Sequence, residues 1–267
     1  MWRHRRIPHL TLLRICLASS LLPLVVLQCR SRSPFLIWAL WEVILLLLLG
    51  LIRSPAPTLR IESAIIFYVP QAVGGLLFLA SFTTSWELSG FLLLLALSVK
   101  LGLFPFHFWV VPSLRCVPPF FLFLVLVPRK LPAYLLLCRS KGLLVVVFAS
   151  LLISFFLSVV QTSTKRLIVA SRIGASGFLL LAGECNCFWI YFSTYSVTLF
   201  CFLYISEGIG LLSFLGLPGL PIFFGKIQLI LGAPSTLFWM ILVFYLLSAW
   251  YYLKWVPSSL WVRSIRI

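Results

Sequence analysis

Five side chains that can gain or lose a proton lie within otherwise apolar stretches of the sequence. They are Glu42, Lys100, His107, Lys130 and Lys226. A Lys or Glu at the centre of a membrane-spanning helix costs about 2.5–3.5 kcal/mol on insertion scales. Ionisable groups retained at that cost commonly mark the path of an ion or a proton. The pattern therefore predicts proton transfer through the interior of a membrane protein.

The two signs of charge suggest how such a transfer would be controlled. An apolar surrounding favours the neutral amine of a lysine, whereas a nearby carboxylate favours the charged ammonium. A pair of Glu42 and Lys100 would therefore hold a proton on the lysine, and separation of the pair would release it. Water between Lys100, Lys130 and Lys226 would carry the proton onward, and His107 could extend the route because imidazole titrates near neutrality.

Each of these residues also has a purely structural interpretation. A charged side chain can extend along its helix to the membrane surface, or form one buried ion pair that holds helices together. Arg129 beside Lys130 is consistent with the end of a span, and His107 could simply pack beside Trp109.

Three apolar stretches are interrupted by proline and glycine close to a lysine. Proline lacks an amide donor and leaves a carbonyl free, so a helix that contains it kinks or breaks. Broken helices persist deep in a membrane only where protein or a wet cavity satisfies the loose backbone groups. The coupling of breaks with lysines therefore favours a transport function. The interrupted segments are residues 100–105, 127–132 and 216–221.

The composition indicates that most of the surface faces lipid. Hydrophobic residues make up 62% of the chain, charged residues only 10%, and the mean hydropathy is +1.14, whereas soluble domains carry about 25% charged residues. A spanning helix needs about 20 apolar residues, and continuous apolar runs favour helices over a barrel. We predict an all-α, polytopic transmembrane bundle of about ten spans with discontinuous helices, forming a single domain over residues 1–267. The predicted spans are residues 9–28, 34–52, 61–82, 88–112, 118–138, 142–160, 167–183, 188–206, 208–232 and 235–256.

The strong positive charge predicts contact with phospholipids and also predicts how the chain is oriented in the membrane. The chain has 21 Lys and Arg against five acidic residues. Because most arginines stand at predicted span ends, they suit lipid phosphates, and nucleic-acid binding is not expected. An even number of spans, ten, places both termini on the same side of the membrane. The loops and termini on that side hold ten basic residues, and the loops on the opposite side hold four. Both termini are therefore predicted on the more positive side. That side is the matrix in a mitochondrial membrane. The Arg-rich start is expected to be a retained, charged cap.

No metal or cofactor is expected to bind this chain. The seven cysteines are scattered, no Cys-x-x-Cys pair exists, and no histidine neighbours the Cys185-Asn186-Cys187 segment. Iron–sulfur or zinc ligation is therefore not favoured. A Gly-rich phosphate-binding loop is also missing from the sequence.

Six segments resemble, in order and spacing, the antiporter-like subunit 2 family of respiratory complex I, the NADH–ubiquinone oxidoreductase. The most recognisable reads Lys-Leu-Gly-Leu-Phe-Pro-Phe-His-Phe-Trp, and the resemblance extends over about residues 34–232. The six segments are residues 38–42, 62–72, 100–109, 130–132, 161–167 and 217–226.

The resemblance implies a proton-translocating subunit of the mitochondrial inner membrane. Glu42 would be the modulator, Lys100 and Lys130 the central relay, and Lys226 the terminal exchange site. The resemblance also implies no redox chemistry in this chain, because NADH, FMN, iron–sulfur clusters and ubiquinone would bind partner subunits. The expected partners are other complex I membrane-arm subunits, including antiporter-like neighbours, together with phospholipids.

The sequence also departs from that family. It is shorter at both ends than bacterial relatives, and an acidic segment after Trp109 is replaced by Val110-Val111-Pro112-Ser113. Arg172 and Ala175 stand where the family favours a small polar residue and a histidine. Two alternatives therefore stay open: a subunit of a stand-alone cation/proton antiporter, and a structural membrane subunit that does not pump.

Overall fold

The computed structural model describes residues 8–51, 57–114, 119–138, 144–205 and 207–264. All regular structure within these ranges is helical. Thirteen α-helices are accompanied by a 3₁₀ turn at Pro128–Lys130 and a π-helical turn at Cys201–Ile205. The α-helices are α1 (Pro8–Arg30), α2 (Pro34–Leu51), α3 (Pro57–Thr83), α4 (Trp86–Leu101), α5 (Val110–Leu114), α6 (Pro119–Leu126), α7 (Leu131–Leu137), α8 (Leu144–Val160), α9 (Thr164–Glu184), α10 (Phe188–Phe200), α11 (Glu207–Leu215), α12 (Pro221–Gly232) and α13 (Ser235–Ser264).

Helices lie at the positions of the ten predicted spans, either singly or as two helices in series. In the described part of the chain, three helices are long and apolar enough to cross a membrane, by length and composition. Six further apolar helices have 10–17 residues. The predicted all-α membrane fold is confirmed, whereas the number of helices that cross the bilayer stays a prediction. The three long spans are Ile61–Thr83, Arg166–Glu184 and Leu237–Trp255.

The helices belong to two compact units, each built from two segments of the chain. Unit 1 comprises residues 1–100 and 116–135, and unit 2 comprises residues 101–115 and 136–267. In unit 1, α2 packs against α1, α3 and α6. In unit 2, α8 packs against α9 and α13, α10 packs against α12, and α11 packs against α13. The single domain predicted over residues 1–267 stays a prediction.

Helix α8 shows how polar and apolar side chains are distributed. Ser150, Ser154 and Ser158 recur every four residues and are buried, whereas Val145 on the same helix is 79% exposed. The Ser154 hydroxyl donates to the carbonyl oxygen of Ala170 on α9 at 3.3 Å. Small and hydroxyl residues therefore face the neighbouring helix and large apolar ones face outward, as in helix pairs that pack in lipid.

The three interruptions predicted from sequence are present in the structure. Helix α4 ends at Leu101, where Gly102 has a φ of +70°, and α11 ends at Leu215, where Gly216 has a φ of +81°. Glycine adopts this left-handed conformation without the steric cost of a Cβ. The third interruption replaces α-helix by the 3₁₀ turn between α6 and α7.

The π-helical turn between α10 and α11 was not predicted, because its sequence is as apolar as the helices around it. Gly210 on α11 lies against this turn, and a Cβ at position 210 would overlap the Cα and Cβ of Phe202. A π-helical turn spaces its residues differently from an α-helix. The close approach of α11 to the turn therefore depends on the missing side chain.

We expect Gly210→Ala to destabilise the protein by about 1–3 kcal/mol or more, the usual cost of overpacking a filled interior. Gly90→Ala is the matched control, since nothing lies within 4 Å of its Cβ position and alanine is favoured over glycine inside a helix by about 0.5–1 kcal/mol. The measurement is the temperature at which the detergent-extracted protein aggregates on heating. A Gly210→Ala protein as heat-resistant as Gly90→Ala would contradict the packing described.

Candidate functional site

Glu42 lies on α2 in unit 1, where its carboxylate occupies space left by a glycine of α3. A Cβ on Gly75 would lie 2.5 Å from Oε1 of Glu42 and 3.3 Å from Nε1 of Trp38. This Oε1 is buried and accepts no hydrogen bond from the described residues. Because a carboxylate oxygen is a strong acceptor, such an atom is a place where a water molecule or a transferred proton can bind.

Lys100 lies in the last turn of α4 and is enclosed by α2 and α3. Its side chain is 6% exposed, and Nζ lies 4.3 Å from the ring centroid of Trp41, the neighbour of Glu42. A Cβ on Gly74 would lie 2.9 Å from Cγ of Lys100. The adjacent glycines of α3 thus leave room for the lysine and for the carboxylate. Glu42 is near enough to act on Lys100 electrostatically.

Gln71 on α3 links the end of α4 to a second buried cation. Its Nε2 donates to the carbonyl oxygen of Lys100 at 3.2 Å, and its Oε1 accepts a hydrogen bond of 3.0 Å from Nη2 of Arg129. The last carbonyls of a helix have no amide partner within the helix. The glutamine therefore satisfies a carbonyl at the helix break and fixes a guanidinium near the lysine.

The 3₁₀ turn places Arg129 and Lys130 in the interior of unit 1. Arg129 is 8% exposed and Lys130 is 5% exposed, and the guanidinium carbon of Arg129 lies 4.6 Å from the ring centroid of Phe67. Both side chains are therefore enclosed by the protein, and whether the pair marks a span end stays open. Arginine keeps its proton in proteins, whereas lysine can release it, so Arg129 is a permanent charge and the lysines can exchange protons.

Lys226 lies on α12 in unit 2 and is bound to the break that follows α11. It is 6% exposed, and Nζ donates to the carbonyl oxygens of Phe214 at 3.0 Å and Leu215 at 3.4 Å. The hydroxyl of Tyr245 donates to the carbonyl oxygen of Gly216 at 3.1 Å, and its ring centroid lies 4.3 Å from Nζ. The carbonyls freed by the break are therefore satisfied by the lysine and the tyrosine beside it.

His107 belongs to unit 2 and follows the break after α4. Its ring stacks on Phe104 with the centroids 6.5 Å apart, and its side chain is half-buried. The Nδ1 atom is buried without a hydrogen-bond partner among the described residues. Glu42, Lys100 and Lys130 belong to unit 1, so a relay through His107 stays a prediction.

Several residues that shape these sites were missed in the sequence. Gln71 enters the sequence prediction only as part of a family-like segment, and Gly74, Gly75 and Tyr245 are not part of that prediction. Two consecutive glycines inside a spanning helix are a usable signal, because each costs about 0.5–1 kcal/mol relative to alanine. A buried glutamine in the same helix is a second signal, since buried amides need partners.

A known protein family matches the middle of the chain. The family described as "NADH:quinone oxidoreductase/Mrp antiporter, TM" matches residues 83–209. The matched range contains Lys100, His107 and Lys130, and it ends before Lys226.

Two curated relatives are both named NADH-ubiquinone oxidoreductase chain 2. The chain from Albinaria caerulea is 28% identical over 92% of the present chain and 88% of its own length. The chain from Gallus gallus is 28% identical over 65% of the present chain, which spans only 55% of that relative.

A solved structure shares the fold. A chain of respiratory complex I from Thermus thermophilus with bound Aureothin superimposes with a TM-score of 0.76 and 20% identity, over 88% of the present chain and 68% of that chain. At this identity the likeness shows the antiporter-like fold. Together with the family match and the chain 2 relatives, it shows that this chain is similar to the NADH:quinone oxidoreductase/Mrp antiporter membrane proteins.

Proposed function

We propose that this chain is a proton-translocating membrane-arm subunit of mitochondrial respiratory complex I. Glu42, Lys100, Lys130 and Lys226 exchange the protons, and His107 is a candidate extension of the route. The proposal rests on the hydrogen bonds that satisfy backbone carbonyl oxygens left free at two helix breaks. At the first break Gln71 donates to the backbone carbonyl of the buried residue Lys100, and at the second the buried Lys226 is itself the donor.

In unit 1 the proton is exchanged at Lys100 under the influence of two opposite charges. The carboxylate of Glu42 attracts a proton to the lysine, and the permanent charge of Arg129 repels it. Arg129 is held by Gln71, whereas Oε1 of Glu42 has no hydrogen bond from the described residues. The carboxylate is therefore the group whose displacement changes the proton affinity of Lys100, and Lys130 receives the released proton.

In unit 2 the ammonium of Lys226 binds two carbonyl oxygens of the broken helix. A charged donor forms a stronger hydrogen bond than a neutral one, by roughly a factor of two. Loss of the proton therefore weakens the attachment of Lys226 to the break. Proton exchange at this lysine is linked to the conformation of residues 214–216, as a terminal exchange site requires.

The chain takes part in NADH:ubiquinone reduction as a subunit, with no redox chemistry of its own. NADH, FMN, iron–sulfur clusters and ubiquinone bind to partner subunits, and the chain contacts other membrane-arm subunits and phospholipids. It is a multi-pass protein of the mitochondrial inner membrane with both termini in the matrix. Residues 1–267 act as one antiporter-like transmembrane domain, which the interleaving of both units along the chain supports.

The two alternatives make different predictions about partners and pumping. A stand-alone cation/proton antiporter subunit would be isolated with antiporter subunits and without redox subunits. The curated relatives are named NADH-ubiquinone oxidoreductase chain 2 rather than as antiporter subunits, which favours the first function. A structural subunit would have no need of the five buried cations found among the described residues, since each costs free energy to place in an apolar interior. They are Lys100, Arg129, Lys130, Arg172 and Lys226. Co-isolation with iron–sulfur and quinone-reducing subunits after mild extraction tests the assembly directly.

We expect Glu42→Gln to lower the rate of proton translocation by about tenfold or more, because the amide cannot take up a proton or attract one to Lys100. The rate is measured in vesicles containing the assembled complex, with NADH and a ubiquinone analogue. Glu62→Gln is the matched control, because Glu62 is exposed on α3. Equal proton translocation by the two variants would remove Glu42 from the mechanism.

We expect Lys226→Met to lower proton translocation to a similar extent, about tenfold or more, since methionine keeps the apolar length but cannot exchange a proton. It also leaves the carbonyls of Phe214 and Leu215 without their donor. Lys254→Met, at an exposed lysine of α13, controls for the loss of one positive charge. If proton translocation and the amount of assembled complex are both unchanged in Lys226→Met, Lys226 is not an exchange site.

A further inference from the structure

Lys226 borders a small cavity in unit 2 whose other polar groups are hydroxyls. The water-accessible volume of the cavity is about 20 Å³, which is room for a water molecule. Apart from Lys226 and the tyrosines, its lining residues are serines and apolar side chains. Its polar lining residues include Lys226, Ser171, Tyr191, Tyr195, Tyr251 and Tyr252.

Tyrosines are concentrated at this cavity. The chain contains eight tyrosines and 24 phenylalanines, and four of the eight tyrosines line the cavity. All four are buried. A buried hydroxyl costs free energy unless it is hydrogen-bonded, and phenylalanine would fill the same space without that cost. The hydroxyl groups therefore need an explanation beyond packing.

The four tyrosines come from two helices and lie close to one another. Tyr191 and Tyr195 are one turn apart on α10, and Tyr251 and Tyr252 are adjacent on α13, with their ring centroids 4.5 Å apart. The hydroxyl of Tyr252 lies close to the side chains of Ser171 and Tyr251. The guanidinium carbon of Arg172 lies 4.8 Å from the ring centroid of Tyr195.

We propose that the tyrosine hydroxyls around this cavity, together with water inside it, conduct protons to and from Lys226. This inference rests on the proposed function and identifies the groups that serve Lys226 within unit 2. Tyr252 is the central link, because its hydroxyl lies close to those of both Ser171 and Tyr251.

The transfer leaves every hydroxyl unchanged. Each hydroxyl oxygen accepts a proton from the preceding donor while its own proton passes to the next oxygen, so one O–H bond forms as another breaks. Every tyrosine is neutral at the start and at the end, as expected of a group with an ordinary pKa near 10. The excess proton finally binds the lone pair of neutral Lys226 Nζ and forms the ammonium, and release follows the same steps in reverse.

The test is Tyr252→Phe, which removes the central hydroxyl and keeps the ring. Proton translocation is measured with the assembled complex in vesicles, in H₂O and in D₂O, during NADH oxidation. We expect about a tenfold slower rate, the equivalent of about 1.4 kcal/mol in the barrier. We also expect a larger solvent isotope effect, which a loss of packing alone would not produce. Tyr204→Phe is the matched control, because Tyr204 is 45% exposed in the π-helical turn.

Lys226→Met, measured in parallel, separates this inference from the proposed function. If Lys226→Met is slow while Tyr252→Phe matches Tyr204→Phe in rate and isotope effect, the hydroxyl route is wrong and the role of Lys226 stands. If Lys226→Met also translocates protons at the unchanged rate, the exchange site itself is wrong. Should Tyr252→Phe reduce the amount of assembled complex, Ser171→Ala carries the test, because it removes the neighbouring hydroxyl from the proposed route. A normal rate and isotope effect in assembled Ser171→Ala would overturn the proposal.

Discussion

A backbone carbonyl freed inside lipid must find a hydrogen-bond donor, and the architecture of both units follows from that constraint. Helix α4 ends beside Lys100 and α11 ends before Gly216, and neither end can use water from bulk solvent as a soluble helix would. Gln71 donates to the carbonyl at the first end, and Lys226 and Tyr245 donate at the second. A helix break is thus not a weak point in this fold, because it creates the polar surroundings in which a buried lysine is tolerated.

The same contacts give Lys100 and Lys226 different electrostatic surroundings. Lys100 shares its surroundings with a carboxylate that has an open acceptor and with a guanidinium held in place by Gln71. Lys226 instead donates directly to two backbone carbonyls of unit 2. The first arrangement suits control of proton affinity by a movable charge, and the second suits exchange linked to backbone movement. In the proposed function these two sites have complementary roles in moving a proton.

Much of this could be predicted from sequence because lipid imposes simple rules. Continuous apolar runs, the isolated charges at positions 42, 100, 130 and 226, and the Gly-Pro interruptions gave the fold class, the three breaks and the buried lysines. The contacts that could not be predicted are those between helices that are distant in the sequence. Gln71 contacts Lys100 and Arg129 across 29 and 58 residues of sequence, and the tyrosines at 191, 195, 251 and 252 converge from two distant helices. The π-helical turn has no composition of its own that would distinguish it from the helix before it.

The central claim is that protons reach the buried lysines through hydrated, protein-lined spaces beside the helix breaks. It is tested most directly by an experimental structure of the assembled complex at a resolution that shows ordered water. We predict water bound to Oε1 of Glu42 and water in the tyrosine-lined cavity beside Lys226. A structure in which Glu42 and Lys226 face lipid acyl chains, with no water near either side chain, would contradict the account.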